Sequence, residues 1–87
     1  MEIQDVLDER QKTHGDFADV ARVAQTLKAA AESGRNYSKL TAVQKEAIDM
    51  ALSKVARILS GNHNFRDHYE DISGYMTLVI NSMEKKS

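Results

Sequence analysis

The second half of the chain carries two pairs of acidic residues whose spacing suits metal chemistry. Glu46 and Asp49 are three residues apart, and Asp67 and Asp71 are four apart. At these spacings, two side chains share one face of a helix. Two such pairs on neighbouring helices can converge on Mg²⁺ or Mn²⁺, which accepts carboxylate oxygens together with substrate phosphates. The spacing thus predicts Glu46, Asp49, Asp67 and Asp71 as metal ligands.

A second interpretation of the same residues stays open. Acidic pairs are common on the solvated faces of amphipathic helices, where they pair with cations one turn away. His68 also fits the border of an apolar face. Tyr75 fits a half-buried position from which its hydroxyl reaches a neighbour, and Asp71 lies one turn before it.

Basic residues cluster in two places, and both clusters suit an anionic ligand. Lys54 and Arg57 follow the first acidic pair and lie within reach of a polyphosphate bound there. The other cluster is segment 10–17, where basic side chains and a glycine precede a predicted helix, an arrangement that can hold an anion. The predicted phosphate-binding residues are Lys12, Lys54 and Arg57, with Arg10 and His14 as further candidates.

Segment 10–17 also has a purely structural interpretation. Gly15 would turn the chain, Asp16 would cap the following helix, and Phe17 would enter the core. This interpretation leaves the basic residues of the segment unexplained.

The elements that position these residues are predicted to be helices. The chain has no proline and four glycines, and its apolar residues recur at intervals of three and four. We predict helices over 2–13, 16–32, 41–60 and 64–84, the third opened by a Thr41–Gln44 capping box and the fourth capped by Asn64. The predicted apolar faces are Ala47, Ile48, Ala51, Val55, Ile58 and Leu59 on the third helix, and Phe65, Ile72, Met76, Val79 and Met83 on the fourth.

The length and composition of the chain indicate its fold class and its oligomeric state. Eighty-seven residues make one small all-α domain, 1–87, which we expect to be an antiparallel bundle of three or four helices. Its core is marginal at this size, so we expect homo-oligomerisation into a dimer or tetramer. The net charge of −1 makes nucleic acid an unlikely partner, and the absence of cysteine fits a reducing cytosol. Neither a signal peptide nor a membrane span is predicted.

Three blocks of the sequence resemble motifs of known protein families. They are R-x-K-T-H-G-D-F from Arg10, E-A-I-D-M-A-x-x-K-x-A-R-I-L-S-G-N from Glu46, and D-H-Y-E-D-I-S-G-Y from Asp67. Together they resemble a family of small phage- and prophage-encoded proteins of unknown function. The latter two blocks are similar to the all-α nucleotide pyrophosphohydrolases of the MazG and dUTPase type. That likeness implies Mg²⁺-dependent cleavage of a nucleoside triphosphate to the monophosphate and pyrophosphate.

The resemblance also assigns motifs to this chain. Glu46-x-x-Asp49 would stand for the first acidic motif of those enzymes and His68-x-x-Asp71 for the second. The resemblance thereby implies that Glu46, Asp49 and Asp71 are the catalytic residues and hold the metal, with Asp67 or His68 as the further ligand. The chain departs from their pattern at Asp49, a shorter acid, and at His68, which replaces an acid. We therefore carry two hypotheses. One is a Mg²⁺-dependent pyrophosphohydrolase or its remnant. The other is a non-catalytic helical oligomer that binds a host protein or a nucleotide signal.

Overall fold

A computed structural model describes residues 2–84, and four α-helices make up most of them. They are α1 (Ile3–His14), α2 (Phe17–Glu32), α3 (Ala42–Ser60) and α4 (Arg66–Glu84), with a 3₁₀ turn at Tyr37–Lys39 between α2 and α3. Residues 2–84 contain no strand. The all-α prediction is confirmed. Met1 and residues 85–87 lie outside the described part.

The capping residues predicted from the sequence match some of the observed helix starts and not others. The capping box of α3 is confirmed: the Gln44 N–H donates to Thr41 Oγ1 at 3.1 Å, and the Thr41 N–H donates to Gln44 Oε1 at 2.9 Å. Asp16 occupies the cap position of α2, but its side chain accepts no hydrogen bond from the helix. The Asn64 prediction is wrong, because α4 begins at Arg66 and Asn64 lies two residues earlier.

Helix α3 lies at the centre of the fold and packs against both α2 and α4, while α1 makes fewer contacts. The core around it is thin and built from small side chains, which bring helices close together but bury little apolar area. The predicted apolar faces are covered only in part: Leu59 on α3 is 65% exposed and Met83 on α4 is 54% exposed. The buried residues are Ala24, Ala47, Ala51, Ala56 and His68.

The chain is extended for its size. Its radius of gyration is 14.9 Å and its extents are 49 × 26 × 23 Å, whereas a compact chain of this length has a radius of about 12 Å. Its accessible surface is 6415 Å², compared with about 5,200 Å² for a folded monomer of this mass. The fold thus leaves more surface uncovered than a compact monomer does. No helix within residues 2–84 is both long enough and apolar enough to cross a membrane.

Candidate functional site

Two glycines bring distant parts of the chain into backbone contact. Gly15 joins α1 to α2 with φ +89°, and Gly61 ends α3. A Cβ on Gly61 would lie 2.5 Å from the Gly15 nitrogen and 2.6 Å from the Thr13 carbonyl oxygen. The Asn62 N–H donates to that same oxygen at 3.1 Å. Segment 10–17 is thereby fixed against the turn between α3 and α4, and only glycine fits at this contact.

His68 is part of this contact. Its side chain is 1% exposed, so the prediction of a border position is wrong. Nε2 lies 3.4 Å from the Thr13 carbonyl oxygen; because a carbonyl only accepts, Nε2 carries the hydrogen. The ring meets Phe65 and His14 edge-on, each with centroids 4.9 Å apart. The Nδ1 atom is buried without a hydrogen-bond partner in the described residues. His68 therefore joins α4 to segment 10–17.

His14 is held in one orientation and surrounded by positive charge. Its Nδ1 lies 2.6 Å from Thr13 Oγ1, and the Thr13 hydroxyl donates to the Arg10 carbonyl at 3.2 Å. This chain assigns the hydrogen to His14 Nδ1 and leaves Nε2 as an acceptor. Partial burial lowers the pKa of His14 below its usual value, and the nearby charges of Arg57, His68, Lys54 and Arg10 lower it further. At neutral pH the imidazole is therefore uncharged.

An open groove of about 580 Å³ lies beside His14, between α1, the start of α2 and α3. It brings together Arg10 and Arg57, residues 47 positions apart that belong to the two predicted basic clusters. Neither guanidinium forms an ion pair within residues 2–84. Asp16 also contributes its carboxylate to the rim. The groove is lined by Gln4, Leu7, Arg10, Gln11, His14, Gly15, Asp16, Phe17, Val20 and Arg57.

Sequence reasoning missed the apolar wall of this groove. Phe17 was expected in the core, but it is 82% exposed and lies over the groove with Leu7 and Val20. The expectation is wrong because Phe17, the first residue of α2, lines the open groove and is left uncovered there. A usable signal was the spacing of Leu7 and Arg10, which puts an apolar and a basic residue on one face of α1.

Two predicted site residues are partners of each other. Lys54 Nζ lies 2.8 Å from Asp71 Oδ2, with the lysine side chain 13% exposed and the aspartate 47% exposed. The hydrogen bond from Lys54 has the largest effect and lowers the pKa of the Asp71 carboxyl. Desolvation opposes it, and the charges of Lys54, His68 and Arg57 lower the pKa further. This ion pair joins α3 to α4. A phosphate contact by Lys54 requires it to open.

The other predicted residues do not gather around one point. Glu46 and Asp67 are exposed and Asp49 is half-buried, and no group of three or more His, Asp and Glu side chains within residues 2–84 is placed to hold a metal ion. Lys12 lies outside the groove lining and pairs with Glu9 at 3.1 Å. Tyr75 is half-buried, as predicted, but the predicted contact of its hydroxyl with a neighbour is not formed, since that hydroxyl makes no hydrogen bond within residues 2–84.

A known protein family matches almost the whole chain. Residues 3–82 match the family described as "Domain of unknown function (DUF6378)". The chain belongs to the DUF6378 family. No curated protein and no solved structure matches it. The matched residues of DUF6378 include every residue that lines the groove. The description of DUF6378 assigns no activity, so the phage origin and the likeness to pyrophosphohydrolases stay predictions.

Proposed function

We propose that this DUF6378 protein binds a nucleotide through its phosphates in the groove beside His14. The observation that carries the proposal is the pair of guanidiniums, Arg10 and Arg57, that line the groove without a carboxylate partner in residues 2–84. A guanidinium recognises a phosphate with two parallel hydrogen bonds, which gives it both energy and geometry.

The apolar wall supports a nucleotide rather than a free phosphate. The exposed ring of Phe17 and the side chains of Leu7 and Val20 line the same groove as the two arginines. An aromatic side chain stacks on any base, and such stacking contributes about 1–3 kcal/mol. A volume of about 580 Å³ lies within the usual range of small-molecule sites, roughly 300–1,000 Å³. The base would lie against the wall and the phosphates against the arginines.

Hydrolysis of that nucleotide is the first reaction we propose to test, as a Mg²⁺- or Mn²⁺-dependent pyrophosphohydrolase. The residues of one chain do not fit the metal by themselves, because Glu46, Asp49, Asp67 and Asp71 do not gather with His68 into one ligand set within residues 2–84. We derive no chemical step through the metal. A metal site of this kind needs acids from a second copy in addition to the phosphates of the nucleotide.

A non-catalytic role is the second candidate, and one observation favours it. Asp71, the acid to which the resemblance gives a catalytic role, is engaged with Lys54 across α3 and α4. With that acid committed to an ion pair, the groove is still available to bind a nucleotide signal. The proposed setting is the cytoplasm of a bacterial host, in a phage or prophage accessory protein, where a host protein is a further possible partner.

We also propose that the chain works as a homo-oligomer in which the copies complete an antiparallel bundle. The support is the accessible surface of 6415 Å², which exceeds that of a compact monomer by about 1,200 Å². A standard interface covers about 800 Å² of each partner. The uncovered surface is therefore large enough for one such interface.

Titration calorimetry with a panel of ribo- and deoxyribonucleoside triphosphates tests the binding proposal. Arg57→Gln should weaken binding by roughly 10- to 100-fold, since a hydrogen bond to a charged group contributes about 1.5–3 kcal/mol. Arg35→Gln is the matched control, because Arg35 is an exposed arginine in the loop after α2 and lies outside the groove. Absence of binding by every nucleotide, or equal losses in both variants, would refute the proposal.

The same samples separate the two candidate roles. Each nucleotide is incubated with Mg²⁺ and then Mn²⁺, and the products are resolved by ion exchange. Monophosphate that disappears when a chelator is added supports the hydrolase. Binding that persists in chelator, with no product under any condition, supports the nucleotide-binding accessory protein.

A further inference from the structure

An apolar stripe runs along one side of α4, and the described chain covers it only in part; the Tyr69 hydroxyl donates to the His63 carbonyl at 2.8 Å. The side chains of the stripe are 36–54% exposed, and successive members are separated by seven, four and three residues. At 100° per residue these positions fall within about 60° of arc. The α4 stripe consists of Tyr69 (50% exposed), Met76 (36%), Ile80 (54%) and Met83 (54%).

The α4 stripe is one half of a longer apolar pattern. Tyr69, Ile72, Met76, Val79 and Met83 alternate at intervals of three and four residues over two heptads, the spacing of a helix–helix seam. Ile72 and Val79 are half-buried in the monomer. The seam is therefore covered on the Ile72–Val79 side and open on the side of the stripe.

We propose that the α4 stripe is the surface on which a second copy of this chain packs its own α4. The stripe is self-complementary, as a two-fold interface requires, because the same patch serves both copies. Tyr69 and Met83 lie seven residues before and after Met76, and Ile80 lies four residues after it. The chain as a whole exposes about 1,200 Å² more than a compact monomer, so an interface of about 800 Å² per partner that includes the stripe and its surroundings fits within this excess. This inference rests on the proposed homo-oligomer and is independent of nucleotide binding.

The opposite side of α4 provides the contrast. Leu78 is 59% exposed and lies about 160–180° from Ile80, beside Gly74 and the carboxylates of Glu70 and Asp71. Charges at that density disfavour a dry helix interface. Leu78 and Ile80 are thus matched in exposure and position along α4, and they differ in which side of the helix they occupy.

Sedimentation equilibrium of three proteins tests the proposal. The wild type should be a dimer or a higher oligomer. Ile80→Glu should weaken self-association by roughly 100-fold, because a carboxylate would be buried against apolar side chains without a partner. Leu78→Glu should sediment like the wild type. A monomeric wild type, or dissociation by Leu78→Glu and not by Ile80→Glu, would overturn the proposal and leave the stripe to another occupant.

A cysteine experiment keeps the test decisive if Ile80→Glu fails to fold. The chain has no cysteine, so Ile80→Cys and Leu78→Cys each introduce a single thiol. A short thiol-reactive cross-linker should join two copies of Ile80→Cys and leave Leu78→Cys single; the reverse result contradicts the proposal. Nucleotide binding measured on the same variants separates the two proposals, because an interface in the wrong place does not affect the groove.

Discussion

Replacing Gly61 by alanine is the sharpest test of how the groove is assembled. The added methyl would lie 2.5 Å from the Gly15 nitrogen, and 2.6 Å from both the His14 carbonyl carbon and the Thr13 carbonyl oxygen. These are backbone atoms, which cannot turn aside as a flexible side chain can. The corner between α1 and α2 must therefore move away from the end of α3. That movement breaks the hydrogen bond from Asn62 to Thr13.

The expected cost follows from these contacts. Overpacking of a close-packed contact costs about 1–3 kcal/mol, and loss of one backbone hydrogen bond adds about 1 kcal/mol. A total of about 3 kcal/mol lowers the melting temperature of a chain this size by roughly 12–24 °C. Where the variant is still folded, nucleotide affinity should also fall, because Arg10 moves relative to Arg57.

Gly74→Ala is the matched control. Gly74 lies in the middle of α4, and a Cβ there meets nothing within 4 Å. Alanine is favoured over glycine inside a helix by about 1 kcal/mol, so this variant should melt roughly 4–8 °C higher than the wild type. Thermal unfolding followed by circular dichroism measures both. If Gly61→Ala melts at the wild-type temperature, the backbone contact does not hold the corner. If Gly74→Ala is destabilised, its side of α4 is covered by another copy.

Four further outcomes follow from the charges and surfaces. Asp71→Asn should lower stability at pH 7 by leaving Lys54 unpaired; because the folded pKa of Asp71 is below 3.8, the difference should shrink only as pH falls through that lower value. Stability should also fall as pH drops below 6.5, where the unfolded chain takes up a proton that folded His14 resists, and His14→Gln should reduce this slope in denaturant titrations. Nucleotide binding should instead tighten over the same fall in pH, since protonated His14 adds a cation to the groove. Ile80→Glu should bind nucleotide with wild-type affinity in calorimetry, and a lost site would show that the groove needs a second copy.

The parts of the fold that depend on neighbouring residues could be predicted from the sequence. The capping box at Thr41 and the end of α3 before Gly61 involve groups three or four residues apart, so their pattern is visible in a single segment. The position of His68 could not be predicted in this way. It depends on the carbonyl of Thr13, 55 residues earlier, which reaches it only because two glycines allow the backbones to touch.

In the candidate site, too, features within one segment could be predicted from the sequence, and contacts between segments could not. The basic residues were recognised in two separate segments, and what joins them is the contact between Gly15 and Gly61. The acids were recognised by spacing that describes each helix alone. Spacing contains no information about partners across helices, so it could not reveal that Asp71 pairs with Lys54. The prediction that Phe17 enters the core failed for a related reason, because coverage of the first residue of α2 depends on how the helices pack.

The two proposed surfaces lie on different elements, and this separation bears on the choice between the two candidate roles. The groove is formed by α1, α2 and Arg57 of α3, whereas the stripe belongs to α4. Binding therefore needs one chain, but a metal site built from acids of two chains needs the oligomer. A monomeric variant that binds nucleotide and forms no product, beside an oligomeric wild type that forms product, would assign catalysis to the assembly. If both bind and neither forms product, the groove serves recognition alone.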